Sequence, residues 1–269
     1  MEEKLHDLRT ILSQLGPTMV AFSGGVDSSF LLAVAAEVLR GEVIALMTVS
    51  SSTPPEDADQ ARRLADTLNV RLLVIPHDEL AMPEYAANPT NRCYFCKNSL
   101  YDICQREARR LSIRSIVDGL NLDDLGDYRP GIQAAAEYSV RHPLVEARFS
   151  KAEIRTGSKL LGLPTWEKPA SPCLSSRVPY GTLITARMLS QIARAESFIR
   201  AQGFQELRVR HHGTTARIEI RKDDLAHLSV GIMEAMRREL RESGFSSSVL
   251  DLEGFRSGVF NEGLGNNDK

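Results

Sequence analysis

The sequence has little of several features that mark specialised classes of protein. Its 269 residues include only four cysteines, too few for the disulfide framework of a small secreted domain. The net charge is −2, so no overall positive charge points to a nucleic-acid partner. No apolar run approaches the roughly 20 residues of a membrane-spanning helix, and residues 1–15 form an amphipathic pattern without the apolar core of a signal peptide. We therefore expect a cytoplasmic protein with neither a nucleic-acid nor a membrane partner.

The composition is that of an ordinary globular protein, with 42% hydrophobic and 25% charged residues. In the first half of the chain, short apolar segments alternate with helical patterns, which predicts an α/β fold with a doubly wound parallel sheet. Beyond residue 184 the pattern predicts a smaller α+β domain, whose second helix is expected over 224–243. We expect a first domain over 1–165, a proline-rich linker loop over 166–183 and a second domain over 184–269.

The most informative stretch is the turn SGGVDSS, residues 23–29, between the first predicted strand and a helix. Glycine permits a tight turn with positive φ. The unpaired N–H groups and the positive dipole at a helix start suit a phosphate. The carboxylate of Asp27 is a hard ligand suited to Mg²⁺. For Gly-Gly alone, a tight turn with a capping aspartate is the simpler interpretation.

The full string resembles the SGGxDS pyrophosphate loop of the PP-loop ATP pyrophosphatases, and it lacks the Gly-Lys-Ser/Thr of a Walker A loop. The resemblance implies that ATP is cut at its α-phosphate to give an adenylate. It also implies a nucleotide role for part of the Gly-x-Asn-x-Asp-Asp string after the fourth strand, although turn or capping chemistry is an equal alternative for Asp123 and Asp124. The ATP-binding residues so predicted are Ser23, Gly24, Gly25, Asp27, Ser28, Ser29, Asn121 and Asp124.

Residues 76–92 look irregular and lead to a CxxC, Cys93 and Cys96, which a helix is expected to follow as far as Leu111. Three interpretations of the CxxC are open. A thioredoxin-like pair does not suit the predicted fold, and a zinc site lacks a well-placed fourth ligand. Iron–sulfur ligation by Cys93, Cys96 and Cys173 leaves one iron open to sulfide. We expect Cys104 to be a buried apolar residue and Cys173 to be exposed with a lowered thiol pKa.

The third group of candidate residues is basic. Arg208 and Arg210 are two positions apart on a predicted strand and therefore point to the same face. Two guanidinium groups on one face can bind a phosphate, and we expect Ser176 and Arg177 to join them. A solvated sheet face is the alternative, because glutamates interleave with the arginines.

Longer sequence motifs indicate which family within the PP-loop enzymes the chain resembles. KPASPCLSSRVPYGT, RVRHHGTTARIEI and the helix containing Glu196 are similar to the LarE family of ATP-dependent sulfur transferases, over nearly the whole chain. The resemblance implies a small-molecule substrate, a pyridinium dicarboxylate mononucleotide, whose carboxylate is adenylated and then attacked by Cys173. It also implies that Glu196 and Glu219 line the substrate site and that the protein is a homo-oligomer, a hexamer in the family.

The family has two branches that differ in the source of sulfur. In one, the loop cysteine gives up its own sulfur and becomes dehydroalanine. In the other, a CxxC is associated with a [4Fe-4S] cluster that relays sulfide, and Cys93 and Cys96 favour this branch. The cofactors so implied are ATP, Mg²⁺ and the cluster, while the sulfide donor is left open. A PP-loop tRNA thiolase and an ammonia-using PP-loop synthetase are the competing enzyme classes, and a nucleotide-sensing domain is the non-enzymatic one.

Overall fold

The computed structural model describes residues 1–126 and 129–256, which contain ten α-helices and seven strands. The helices are α1 Glu2–Ser13, α2 Val26–Leu39, α3 Pro55–Thr67, α4 Pro83–Ala86, α5 Arg92–Arg110, α6 Gly131–Glu137, α7 Pro143–Glu146, α8 Lys151–Leu160, α9 Ala186–Ala201 and α10 Val230–Glu242. The strands are β1 Thr18–Ala21, β2 Val43–Val49, β3 Arg71–Pro76, β4 Ser115–Asp118, β5 Leu207–His212, β6 Thr215–Ile220 and β7 Ser247–Leu250.

The first sheet has four parallel strands in the order β3-β2-β1-β4. Every residue of the central strand β1 is buried, and its side chains alternate between two apolar clusters. Val20 packs into a cluster with residues of α1, α2 and α8, whereas Met19 and Ala21 pack with residues of α5 and α6 on the other face. Helices therefore cover both faces, which confirms the predicted doubly wound α/β fold.

Contacts divide the chain into two compact units. The first comprises 1–50, 55–77 and 91–171, and the second comprises 51–54, 78–90 and the chain from 172 onward. The second unit contains the sheet β5-β6-β7, in which β5 and β6 are antiparallel and β6 and β7 are parallel. The predicted domain boundaries at 165 and 184 stay a prediction.

Hydrogen bonds explain why the second unit takes up two short segments from the first half of the sequence. Leu174 N donates to Ser52 O (2.8 Å), and the hydroxyls of Tyr85 and Ser175 lie 2.7 Å apart. Asn88 Nδ2 donates to the carbonyl oxygen of Pro179 (2.8 Å). These contacts satisfy backbone and side-chain polar groups in a proline-rich stretch that forms no regular ladder.

Three local differences from the expected elements bear on function. Helix α5 begins at Arg92, so both cysteines of the CxxC lie within its first five residues and the helix does not begin after them. Helix α10 begins only at Val230, after Ser229 Oγ accepts a hydrogen bond from Ile232 N (3.2 Å). The short helix α4 lies in the stretch 76–92 that is expected to be irregular, and the short helices α6 and α7 were not predicted either. The loose tail predicted at 260–269 lies outside the described residues, and within those residues no helix has the length and hydropathy to cross a membrane.

Candidate functional site

The glycine turn between β1 and α2 has the geometry that its sequence predicts. Gly24 has a φ of +69°, in the left-handed region that favours glycine, and a Cβ there would lie 3.1 Å from Ala61 Cβ. Ser23 Oγ and Ser28 Oγ are 3.1 Å apart, and Gly25 N donates to Ser23 Oγ (3.3 Å). The two hydroxyls thus brace the turn at the start of α2, where the dipole is positive. Ser29, by contrast, is fully buried.

The end of β4 touches the start of α2 through Gly119. A Cβ on Gly119 would lie 2.7 Å from Ser28 N and 3.0 Å from Ser28 Cα, so only glycine fits without a shift of the backbone. β4 is the neighbour of β1, with Asp118 opposite Ala21. The glycine turn and the chain after β4 therefore meet at the carboxyl edge of the parallel sheet, where ligands bind in such folds. Sequence reasoning missed Gly119, although it begins the Gly-x-Asn-x-Asp-Asp string.

Two lysines that sequence reasoning also missed lie on the glycine turn. Lys151, the first residue of α8, places its Nζ 2.5 Å from Asp27 Oδ2. Lys168 Nζ donates to the carbonyl oxygen of Gly24 (3.1 Å) and pairs with Asp57 Oδ1 at 2.9 Å. The other oxygen of Asp27, Oδ1, is buried and accepts no hydrogen bond from the residues that the structure describes. The turn thus combines two ammonium groups with one buried carboxylate oxygen that has none of the described residues as a donor, a set that suits phosphates and a hard divalent cation.

The residues after β4 form an ordered turn. Asn121 is buried, its Oδ1 accepts from Asp123 N (2.9 Å), and its N–H donates to Asp124 Oδ2 (3.1 Å). Asp124 also pairs with Arg129 at 2.7 Å, while Asp123 Oδ2 accepts the backbone N–H of Lys151 (2.8 Å). Both carboxylates thus have structural partners, and the nucleotide roles of Asn121 and Asp124 stay a prediction.

The four cysteines occupy three different environments. Cys93 is exposed and Cys96 half-buried, both within the first five residues of α5, three positions apart and therefore on one helical face. Cys104, further along α5, is fully buried, and burial raises the pKa of its thiol to about 12. Cys173, half-buried, lies in the second unit at the start of the 3₁₀ turn Leu174–Arg177. Within residues 1–126 and 129–256, no group of three or more His, Cys, Asp or Glu side chains is arranged to hold a metal ion.

The turn that carries Cys173 is held by a buried arginine. Arg177 has no exposed surface, and its Nε and Nη2 donate to the two carboxylate oxygens of Glu196, at 2.8 and 2.9 Å. Its Nη1 donates to the carbonyl oxygens of Pro172 (2.6 Å) and Cys173 (3.0 Å) and to Ser176 Oγ (3.0 Å). The side chain predicted to bind substrate thus makes five hydrogen bonds inside the protein, which give it a positioning role.

The two arginines of β5 join the same cluster. Arg210 Nε donates to Glu219 Oε2 (3.0 Å) and its Nη1 to the carbonyl oxygen of Ser176 (3.0 Å). Arg208 is 5% exposed and lies over the ring of Phe255, 4.8 Å from its centroid. Burial, together with the positive charges of Arg177 and Arg210, lowers the pKa of Arg208 to about 10. The second unit thus brings together all the residues predicted to bind the substrate, beside Cys173.

Glu196 is the centre of this cluster of charges. It is fully buried and accepts hydrogen bonds from Arg177, from Arg200 Nη2 (2.8 Å) and from Val209 N (3.0 Å). Burial raises the pKa of its carboxyl, but the charges of Arg177 and Arg200 outweigh this effect, so the pKa lies below its ordinary value. Glu196 is therefore ionised at neutral pH and fixes the position of the arginine that holds the Cys173 turn.

Comparisons with known proteins place this geometry in context. Residues 8–89 match the asparagine synthase family. A protein of Synechocystis, slr1717, described as uncharacterized, is 43% identical over 265 residues, which are 98% of this chain and 99% of that protein. The pyridinium-3,5-bisthiocarboxylic acid mononucleotide synthase of Lactiplantibacillus plantarum is 36% identical over 262 residues, 97% of this chain and 95% of that protein. The uncharacterized protein MJ0830 of Methanocaldococcus jannaschii is 29% identical over 242 residues, which are 89% of this chain and 90% of that protein.

Proposed function

This chain belongs to the LarE family of PP-loop enzymes and is an ATP-dependent sulfurtransferase, and from that premise we propose the substrate and the residues that act on it. The substrate is a pyridinium dicarboxylate mononucleotide. One of its carboxylate oxygens attacks the α-phosphorus of ATP, pyrophosphate leaves, and the resulting acyl-adenylate reacts with a sulfur nucleophile to give a thiocarboxylate and AMP. Pyrophosphate release therefore reports the first step and AMP release the second.

The glycine turn is the pyrophosphate site in this proposal. Gly24 and Gly25 bring the backbone close to the phosphates, and the hydroxyls of Ser23 and Ser28 are within the same turn. Lys151 and Lys168 reduce the charge repulsion that binding a pyrophosphate would otherwise meet. Oδ1 of Asp27, which accepts no hydrogen bond from the described residues, is a suitable ligand for Mg²⁺. The ion, when bound, would neutralise charge on the leaving pyrophosphate.

The phosphate of the mononucleotide binds in the second unit, at Arg208, Arg210 and Ser176. The observation that carries this assignment is the hydrogen bonding of the Cys173 turn: Arg210 donates to Ser176 O, and Arg177 donates to the carbonyl oxygens of Pro172 and Cys173. Hydrogen bonds therefore connect Arg210 of the arginine pair directly to the turn that carries Cys173. A dianionic phosphate bound to the arginines thus lies beside Cys173.

The CxxC fits part of a [4Fe-4S] site. Cys93 and Cys96 lie on one face at the positive end of α5, and this position favours thiolates and a negatively charged cluster. Cys104 does not fit, because its thiol is fully buried with a raised pKa. We propose Cys93, Cys96 and Cys173 as the three protein ligands, and a bound cluster would supply an iron that carries sulfide. The hexameric state and the cytoplasmic location stay predictions.

The first experiment measures the binding of ATP and of the mononucleotide separately. Arg208→Ala and Arg210→Ala are expected to raise the mononucleotide concentration needed for ATP–pyrophosphate exchange by at least about tenfold, since a lost charge-assisted hydrogen bond costs roughly 1.5–3 kcal/mol. Their ATP affinity should be unchanged. Arg217→Ala is the matched control, because Arg217 lies opposite Arg210 on β6 but donates its hydrogen bond to Asp251 (3.1 Å), with Glu219 at the longer distance of 3.8 Å. Equal loss of ATP and mononucleotide binding would contradict the assignment.

The second experiment decides the source of sulfur. Protein purified without oxygen is analysed for iron and sulfide and by absorption, and Cys173 is examined by mass spectrometry after reaction with ATP, mononucleotide and sulfide. Repeated turnover with intact Cys173, and loss of iron in Cys93→Ala, Cys96→Ala and Cys173→Ala but not in Cys104→Ala, is the expected result. Stoichiometric conversion of Cys173 to dehydroalanine in iron-free protein would overturn the cluster assignment and favour the sacrificial branch.

A further inference from the structure

A histidine and an aspartate outside the predicted site residues form a dyad at the carboxyl edge of the parallel sheet. His142 Nδ1 lies 2.7 Å from Oδ1 of Asp118, the last residue of β4. The other carboxylate oxygen of Asp118 accepts the hydroxyl of Tyr101 at 2.5 Å, and Oδ1 also accepts the backbone N–H of Leu120 (3.1 Å). Asp118 is thus a buried carboxylate with a complete set of donors, one of which is an imidazole.

The dyad has a defined protonation state. Burial of Asp118 opposes its ionisation, but the hydrogen bonds from His142 and Tyr101 and the charge of Lys97 outweigh burial, so the pKa of its carboxyl is lowered. An ionised carboxylate only accepts hydrogen bonds, so His142 Nδ1 carries the proton. The lone pair of the neutral imidazole is then on Nε2. Nε2 makes no hydrogen bond with any residue in 1–126 or 129–256, and the side chain of His142 is 21% exposed.

The position of the dyad puts it at the edge of the sheet where the glycine turn lies. Asp118 pairs with Ala21 across adjacent parallel strands, which are about 4.8 Å apart, and Ala21 is two residues before the glycine turn begins. Gly119, which follows Asp118, abuts Ser28. Arg141 O accepts Asp118 N (3.2 Å), so the chain carrying His142 runs beside the end of β4.

We propose that His142 is the general base of the sulfur-transfer step, held in the required tautomer by Asp118 as a positioning residue. This inference rests on the proposed function. As the sulfur–carbon bond forms at the acyl-adenylate, the proton of the attacking hydrosulfide passes to His142 Nε2. The carbon–oxygen bond to AMP breaks with its electron pair on AMP. The proton then leaves Nε2 for solvent, and no oxidant or reductant is needed.

Four residues that carry a charged or titratable group lie around the dyad. Tyr101 and Lys97, both on α5, face Asp118, and the pair Arg141–Glu146 flanks His142 in sequence. The ammonium of Lys97 also lies 5.5 Å from the ring centroid of Tyr101. Glu146 donates its backbone N–H to the carbonyl oxygen of His142 (3.0 Å), but its side chain pairs with Arg141 and not with the dyad. Glu146→Gln keeps the backbone contact and is therefore the matched control.

The test separates the two half-reactions. His142→Asn retains an N–H close to the position of Nδ1–H, so it preserves the bond to Asp118 and removes only the base. It should leave mononucleotide-dependent ATP–pyrophosphate exchange within about twofold of wild type and slow thiocarboxylate formation about 10²-fold or more. The ascending limb of the sulfur-transfer rate against pH should disappear. Glu146→Gln should retain both the rate, within about threefold, and the rise with pH.

Asp118→Asn tests whether Asp118 sets the tautomer of His142, which a purely structural role of Asp118 would not affect. The ¹⁵N shifts of His142 should report the Nδ1–H tautomer in the wild type and a mixture of tautomers in the variant, with a shifted pH profile. If His142→Asn keeps the wild-type rate and pH profile, the ascending limb belongs to the sulfur nucleophile and the inference is wrong. If wild-type protein shows no mononucleotide-dependent exchange, the proposed function fails instead, so the two failures are distinguishable.

Discussion

Replacement of Arg177 by Met tests how the turn carrying Cys173 is held. The change removes five hydrogen bonds. Within residues 1–126 and 129–256 it leaves the carboxylate of Glu196, which has no exposed surface, with Arg200 and the N–H of Val209 as its donors. Removing one partner of a buried ion pair typically costs about 3–5 kcal/mol, because the remaining charge loses its compensation. We therefore expect the second unit to lose about that much stability.

Arg200→Met is the matched control, since Arg200 pairs with the same glutamate. The side chain of Arg200 is 24% exposed, so its ion pair is partly screened and should contribute about 0–1 kcal/mol. Urea unfolding, followed by hydrogen exchange of amides in α9 and β5, measures both variants in the unit that contains them. Equal stability losses for Arg177→Met and Arg200→Met would refute the reasoning.

The pH dependence gives an independent check with a definite sign. The pKa of Glu196 is lowered in the folded protein, so its ion pairs stabilise the fold above the ordinary pKa of glutamate, and this contribution is lost as the pH falls through the folded value. Without Arg177 the folded pKa rises. The stability difference between wild type and Arg177→Met should therefore be largest near pH 7 and shrink towards about pH 4.

Three further predictions concern the first unit. Gly119→Ala should weaken ATP binding measured by calorimetry, because its Cβ would lie 2.7 Å from Ser28 N, whereas Gly126→Ala, where no atom lies within 4 Å, should bind normally. Asp27→Asn should abolish pyrophosphate release while its circular dichroism stays that of the wild type, and release at the wild-type rate would contradict the Mg²⁺ assignment. Cys104→Ala should retain the iron content of anaerobically purified protein and lose about 1 kcal/mol of stability, and loss of iron would place Cys104 among the ligands.

The sequence predicted the parallel sheet and the glycine turn because both are local patterns. A strand buried on both faces is a short apolar run, as β1 shows, and the turn is one continuous string of residues. The partners of that turn could not be predicted in the same way. Lys151 is 124 residues from Asp27, and Lys168 is 144 residues from Gly24. No periodicity links such positions, so only the folded chain identifies them.

The ion pair of Arg177 also could not be predicted from the sequence, although its partner is closer along the chain. An arginine in a polar, proline-broken loop is expected at the surface, since arginine is almost never fully buried unless it is paired. Its partner Glu196 is on a helix 19 residues later, and the pair buries both side chains completely. The sequence therefore indicated which residues belong to the basic cluster but not that one of them is an internal support.

In each unit, cationic side chains donate hydrogen bonds to the backbone carbonyl oxygens of a turn assigned to the reaction. Lys168 donates to the carbonyl oxygen of Gly24 in the first unit. In the second unit, Arg177 donates to those of Pro172 and Cys173, and Arg210 donates to that of Ser176. A carbonyl oxygen that faced an anionic ligand would repel it. When a cation binds the carbonyl oxygen from within the protein, that repulsion is removed and positive charge is added near the ligand. Buried ion pairs contribute little net stability, so the burial of Arg177 with Glu196 is better explained by the geometry it imposes on the Cys173 turn than by the stability of the fold.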